Sequence, residues 1–176
     1  MGCVPAPHLA QVNVARPRAP LSDALMAEFT AALAPVNALA DAAPGFVWRL
    51  QDATGDATAV PVPGDPGLIV NLSVWRSPGA LRAFVYSGEH LAYMRRRHAW
   101  FARMAEAWQA MWWVPAGHEP PVEEAESRLL LVRAWGSTPA AFTWAQPYDP
   151  EGRPVATDGP VPPRRRSPAA VRTGGR

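Results

Sequence analysis

Two short stretches carry the residue types from which a reaction centre can be built. In "NLSVW" Asn71 and Trp75 stand four residues apart with Ser73 between them. If the stretch is extended, all three side chains share one face, where Asn71 and Ser73 are polar groups for a ligand or for a dimer interface. In "HLAYMRRRHAWF", His90 to Phe101, three arginines lie between two histidines. On a helical wheel with His90 at zero, Arg97 falls about 20° away, while Arg95 and Arg96 fall between about 140° and 240°. The triplet therefore divides: Arg95 and Arg96 belong to a solvated face, and Arg97 joins Tyr93, Met94, Trp100 and Phe101 on an apolar stripe. A nucleic-acid patch needs its arginines together, so that reading is excluded. His90 is the candidate for proton transfer, its alternative being a half-buried histidine satisfied by a hydrogen bond. Arg97 is the candidate anchor for an anionic group, its alternative being a structural ion pair or a stack on Trp100. His98 lies about 12 Å along the axis from His90, too far to share a metal. His118 stands in a glycine-containing loop that favours a local hydrogen bond.

The composition removes other chemistries. All 17 basic residues are arginine, so no Schiff-base lysine, pyridoxal-phosphate lysine or P-loop lysine exists. One cysteine, Cys3, makes neither a disulfide within the chain nor a thiolate zinc site. No HExxH, GxGxxG or GxSxG motif appears. No run of 18 apolar residues is present, and "MGCVPAPHLA" lacks a signal pattern; the expectation is a cytoplasmic protein with no membrane and no nucleic-acid partner. Six arginines against three carboxylates give residues 147–176 a charge of +3, and the rest of the chain carries −1. The expected organisation is a short flexible N-terminus over 1–7, one domain over 8–147, and a disordered Pro/Arg-rich tail over 148–176.

The elements that must position these residues follow from periodicity. "HLAQVNV" alternates as a half-buried strand. A helix follows, with Leu25, Phe29, Leu33, Val36 and Ala40 on one stripe and a kink expected at Pro35. "GFVWRLQ" and "LIVNLSVW" read as two strands joined by a long hairpin loop. "SPGALRAFVY" opens a helix with Ser77 as N-cap and Pro78 in its first turn, and "SGEH" breaks it before the arginine segment. "AMWWVP" is a strand, "PPVEEAESRLLLVRAWG" a helix ended by Gly136, and "AAFTWAQ" a segment able to close the sheet. The order indicates an α+β, ferredoxin-like sandwich with an added helix and strand. Alternation gives one sheet face as Leu9, Gln11, Asn13, Val47, Arg49, Gln51, Ile69, Asn71, Ser73, Trp75, Ala110, Trp112 and Val114. That face is too apolar for water and too polar for a dry core, which suits a ligand cavity or a dimer interface. The opposite face, with Phe46, Trp48, Leu50, Val70, Leu72 and Val74, is expected to meet the helices. Gln11, Asn13, Arg49, Ser73, Arg97 and Trp112 become candidate substrate-binding residues, and His90 a candidate catalytic one. Trp112 and Trp113 point to opposite faces, so one is core and the other lines the cavity.

The segments "LAQVNVA", "GFVWRLQD", "NLSVWRSPGALRAFVY" and "WWVPAGHEPPVEEAESRL", followed by "AFTW", resemble a bacterial family of domains of unknown function. That family is grouped with the antibiotic-biosynthesis monooxygenases in the dimeric α/β-barrel superfamily. The resemblance covers about residues 8–147. It implies a homodimer in which two sheets pack face to face, with a small-molecule substrate or haem between the sheet and helices of each protomer. In cofactor-free monooxygenases of the superfamily, an Asn and a Trp four residues apart hold an oxidisable phenol or quinol; Asn71 and Trp75 match that spacing, and the resemblance implies that they are candidate catalytic residues. The resemblance thus implies a tailoring oxygenase without cofactor. The alternatives are a haem protein with His90 as axial ligand and Arg97 near a propionate, and a non-catalytic binding or structural dimer.

Overall fold

The computed structural model describes residues 5–156 of the 176-residue chain. Its elements are β1 (His8–Ala15), α1 (Ala27–Asp41), β2 (Phe46–Arg49), β3 (Ile69–Trp75), α2 (Pro78–Val85), α3 (Gly88–Trp100), β4 (Gln109–Val114) and α4 (Val122–Trp135). Every pairing in the sheet is antiparallel and the strand order is β2-β3-β1-β4. This is the ferredoxin-like βαββαβ arrangement, with α2 and α3 together serving as the second helix and α4 added.

Local chemistry sets the boundaries. The Ser77 hydroxyl accepts from the Ala80 N–H at 3.2 Å and Pro78 sits in the first turn of α2, because that turn has no intrahelical use for a proline's missing donor. Gly136 ends α4 with φ 72°, a conformation that a side chain disfavours. α1 runs through Pro35 as one helix. At Gly45, φ is 83° and a Cβ would fall 2.6 Å from Ala80 Cβ, so β2 enters the sheet in contact with α2. The Gly45 carbonyl accepts from Arg76 N at 2.8 Å, which locks that entry to the end of β3.

Pairing register fixes the two faces and changes assignments in β4 and β2. Leu9, Gln11 and Asn13 pair with Trp75, Ser73 and Asn71 on one side and with Trp113, Met111 and Gln109 on the other. Paired residues share a face, so Gln109, Met111 and Trp113 belong to the mixed face. Ala110, Trp112 and Val114 lie opposite, and Trp112 is therefore corrected from a cavity wall to the other side of the sheet. In β2 the register shifts between Phe46 and Trp48. The bulge puts Phe46 and Arg49 on the mixed face with Trp75 and Ser73, and leaves Trp48 opposite with Val74.

Both faces carry packing from within the chain, the apolar face broadly and the mixed face at one end. The apolar face, with Val12, Val14, Val70, Leu72, Val74 and Trp112, packs against Ala125, Leu129 and Val132 of α4 and against Ala57, Val62 and Leu68 of the long β2–β3 loop. The mixed face packs at one end against Leu81, Phe84 and Val85 of α2 and against Phe142. α1 and α3 join one another through Phe29, whose ring lies 5.9 Å from Trp100 and 4.9 Å, edge-on, from Phe101. Thus β1, expected to be half-buried, is buried over most of its length. The last expected strand reduces to a single bridge, Phe142 with Met111, made by N–H···O bonds of 2.7 and 2.8 Å.

Residues 148–156, expected to belong to the tail, fold back on the domain. Tyr148 bridges to Pro154, and Trp113 Nε1 donates to the Tyr148 carbonyl at 2.8 Å. The expected disorder of 157–176 and flexibility of 1–4 lie outside the described residues. Among the described residues no helix is long and apolar enough to cross a membrane, and no group of three His, Cys, Asp or Glu side chains comes together to hold a metal.

Candidate functional site

A continuous polar row crosses the middle of the mixed face. Asn13 Nδ2 donates to Gln11 Oε1 at 3.4 Å, and Gln11 Nε2 donates to Asn71 Oδ1 at 3.3 Å and to Ser73 Oγ at 3.1 Å. Trp75 Nε1 donates to the same Ser73 Oγ at 2.9 Å. Gln11 is 5% exposed and Ser73 6%, the two buried polar residues among those described. Strand alternation places all five side chains on one face, and the β1–β3 register brings them abreast. Asn71 lies at the exposed end of the row, and its Nδ2 has no partner among the described residues. The row thus runs from a buried, fully engaged indole and hydroxyl to an amide that faces out with donors to spare.

At the other end the row meets a stack of rings. Phe84 stacks on Trp75 at 5.2 Å and the His90 ring lies 4.6 Å from Phe84. Phe46 closes on Trp75 edge-on at 5.4 Å. His90 Nδ1 lies 3.0 Å from the Val85 carbonyl. A carbonyl only accepts, so Nδ1 carries the hydrogen and Nε2 is left with its lone pair. Burial pulls the His90 pKa below its ordinary value, and the Val85 hydrogen bond acts in the opposite direction and loses. His90 is therefore a neutral, oriented base at neutral pH.

The remaining candidates are engaged elsewhere. Arg49 stands on the mixed face, but its guanidinium is bound: Nε donates to Asp41 Oδ1 at 2.8 Å and the remaining nitrogens to Asp41 Oδ2 at 3.2 Å and the Gly55 carbonyl at 2.7 Å. It ties the end of α1 to the β2–β3 loop. Arg97 is half-buried while Arg95 and Arg96 are exposed, but Arg97 lies over the Trp108 ring at 4.4 Å. Trp108 packs against the core of the opposite face, so Arg97 is committed to a ring that belongs to that side. Arg96 pairs with Glu28 across α1 and α3. Trp112 Nε1 donates to Glu124 Oε1 at 2.8 Å, beneath α4.

One constellation had no signal in the spacing alone. Glu124 Oε2 lies 2.8 Å from His118 Nε2, while its other oxygen receives Trp112 and stands 3.7 Å from Arg128. Burial pushes the Glu124 carboxyl up, but hydrogen bonds from His118 and Trp112 and the nearby positive charge outweigh it, and its pKa falls below the ordinary value. The cluster sits on the far side of the sheet from the polar row, where it anchors the first turn of α4.

Haem does not fit between His90 and the sheet. Phe84 fills that interval, in ring contact with both Trp75 and His90, and Arg97 is stacked on Trp108.

No curated protein matches the chain in sequence. Among solved structures it is similar to SnoaB, a cofactor-independent oxygenase from Streptomyces nogalater, at 19% identity over 66% of this chain and 99% of that one, with a TM-score of 0.40. It is also similar to Rv0793 from Mycobacterium tuberculosis, at 18% identity over 65% and 99% of the two chains and a TM-score of 0.42. PA3566 from Pseudomonas aeruginosa is similar at 18% identity over 66% and 100%, with a TM-score of 0.40. The model of the family described as Domain of unknown function (DUF3291) matches residues 8–158, and with most of its length inside that match the chain belongs to this family.

Proposed function

We propose that the polar row on the helix-covered face is a small-molecule site and that the protein is a tailoring oxygenase working without a cofactor on an aromatic substrate. The observation that carries this reading is the hydrogen-bonded row Gln11–Ser73–Trp75 ending in the outward amide of Asn71. Asn71 holds a phenolic or carbonyl oxygen through Nδ2, and Ser73 and Gln11 keep Trp75 and Asn71 from rotating. His90, neutral and with Nε2 free to accept, stands beyond Phe84 at the opposite end of the row from Asn71, and it serves as base for a hydroxyl proton carried at that end of an extended polycyclic phenol or quinol, whose anion reacts with oxygen. Of the residues first assigned to substrate, Asn13, Gln11 and Ser73 keep a place in this reading. Arg49, Arg97 and Trp112 take structural roles instead.

The test is oxygen consumption by the full chain with a panel of quinols and polycyclic phenols, alongside Asn71→Ala and His90→Gln. Turnover by the wild type, lost in Asn71→Ala and shifted to higher pH in His90→Gln, is expected. No turnover on any member, or equal turnover by all three proteins, sinks the oxygenase. A non-catalytic binding protein is the second reading, favoured by the close ring contact of Phe84 with both Trp75 and His90. Saturable binding of the same panel without oxygen uptake would establish it. The homodimer implied by the resemblance, with two sheets face to face, is part of this reading. Sedimentation equilibrium reads it as twice 19.0 kDa.

A further inference from the structure

Phe84 stands between two rings that are each fixed by a hydrogen bond. On one side Trp75 is buried, and its Nε1 donates to Ser73 Oγ at 2.9 Å. On the other, His90 Nδ1 donates to the Val85 carbonyl at 3.0 Å. The Phe84 ring lies nearly parallel to the indole, with 26° between the planes and 5.2 Å between centroids, and it meets the His90 ring at 4.6 Å. A phenyl ring has no donor or acceptor to engage, so packing alone holds it, and Phe84 is only half-buried. The corner where it sits is open. It belongs to the last turn of α2, next to Tyr86, which is 62% exposed. Beyond the chain neighbours, no side chain among the described residues lies within 4 Å of where a Cβ on Gly88 would stand. The backbone turns there at Ser87, an extended residue whose hydroxyl makes no cap hydrogen bond to α3.

We propose that Phe84 is the gate of the site: a ring of the substrate displaces it outward and takes its place against Trp75, beside His90. The proposal rests on the reading of the polar row as a small-molecule site, and it supplies the route by which a substrate held there meets the base. The side chain swings between staggered positions about its own bonds, so α2 does not have to move. Displacement gives up one stacked pair and gains another, whereas the two walls keep their hydrogen bonds throughout. The walls also select the occupant. Trp75 offers a flat face that favours a flat ring, and His90 Nε2 accepts from a hydroxyl on it. The vacated interval has the size of one phenyl ring, enough for the end ring of a fused phenol and not for a macrocycle.

The experiment is NMR on the full chain with ring-labelled phenylalanine and tryptophan, Phe84→Leu and Trp75→Phe assigning the two rings, and 2-naphthol as the probe. In wild type, 2-naphthol should saturably abolish the NOE between Phe84 and Trp75 and replace it with one from naphthol to the Trp75 indole. Phe84→Leu has no ring to displace and should bind the probe about three- to tenfold more tightly. Phe46→Leu removes the other ring on Trp75, edge-on at 5.4 Å, but clears nothing between Trp75 and His90, and should bind like wild type. The gate is overturned if 2-naphthol binds while the Phe84–Trp75 NOE persists, if it binds neither wild type nor Phe84→Leu, or if the two leucine variants change affinity alike. Asn71→Ala separates the gate from the reading beneath it. Displacement of Phe84 with an affinity indifferent to Asn71 keeps the gate and sinks the polar row as the site. Binding that needs Asn71 while Phe84 stays in place sinks the gate alone. The NOE is read on wild type, so it decides even where a variant folds poorly.

Discussion

Ser73 receives two N–H groups on one oxygen, from Gln11 and Trp75, in a place from which water is nearly excluded. Removing that oxygen leaves two buried donors without an acceptor, each costing about 1–3 kcal/mol. Ser73→Ala should therefore lose about 2–4 kcal/mol in urea unfolding, while Asn71→Ala, at the exposed end of the row, should lose less than about 1 kcal/mol. Equal losses would show that the row is not connected as described. The arginine triplet gives a second contrast. Arg97→Gln removes the cation from the Trp108 face and should cost about 0.5–2 kcal/mol, whereas Arg95→Gln should stay within about 0.5 kcal/mol; indistinguishable midpoints would mean the stack contributes nothing. The angular separation of Arg97 from Arg95 and Arg96 was legible from spacing alone, since helical phase is local. Its partner was not. Trp108 comes from a segment that no periodicity ties to α3, and the reading of a stack on Trp100 failed for that reason.

The elements show where pattern ends and pairing begins. Ser77, Pro78 and Gly136 mark helix ends by backbone chemistry that acts within a few residues, and the structure puts the ends there. The faces of β4 were beyond reach, because Ala110, Met111, Trp112, Trp113 and Val114 are all apolar and carry no alternation. Only the pairing of Gln109 with Asn13 sets which tryptophan joins the polar row. In β2 a regular alternation was assumed where a bulge intervenes, and Phe46 changed face. α4 illustrates the same limit: Glu124 looked like an ordinary first-turn acid, yet it is the acceptor for His118 and Trp112. Its folded pKa lies below its unfolded value, so its contribution is fully present above the unfolded value of about 4.3 and is lost as pH falls through the folded one. Glu124→Gln should therefore unfold at a lower temperature than wild type at about pH 7, and the gap should close by about pH 2, where both are uncharged at this position. A gap independent of pH would show that the charge of Glu124 does not anchor α4.

For the whole molecule, the decisive feature is that one chain packs elements of its own against both faces of its sheet. α4 and the β2–β3 loop cover the apolar face, and α2 with Phe142 covers one end of the mixed face, so the polar row is buried at Ser73 and Trp75 and exposed at Asn71. Composition identified a sheet with one mixed face, but not its cover, because burial is decided by which element lies across it and not by the strand's own residues. The same reasoning applies at the C-terminal boundary. A proline- and arginine-rich composition argued against burial from residue 148 onward, yet Tyr148 reaches back to the domain. Its carbonyl accepts from Trp113, its ring lies 6.0 Å from Phe142, and Val155 N donates to the Pro147 carbonyl at 2.9 Å. A chain ending at Gln146 loses the acceptor for a half-buried indole and one aromatic contact, together about 2 kcal/mol. Calorimetry should find it melting roughly 4–8 °C below a chain ending at Ala156. If the two melt within about a degree of each other, the 148–156 turn lies on the domain without stabilising it, and the domain ends where composition placed it.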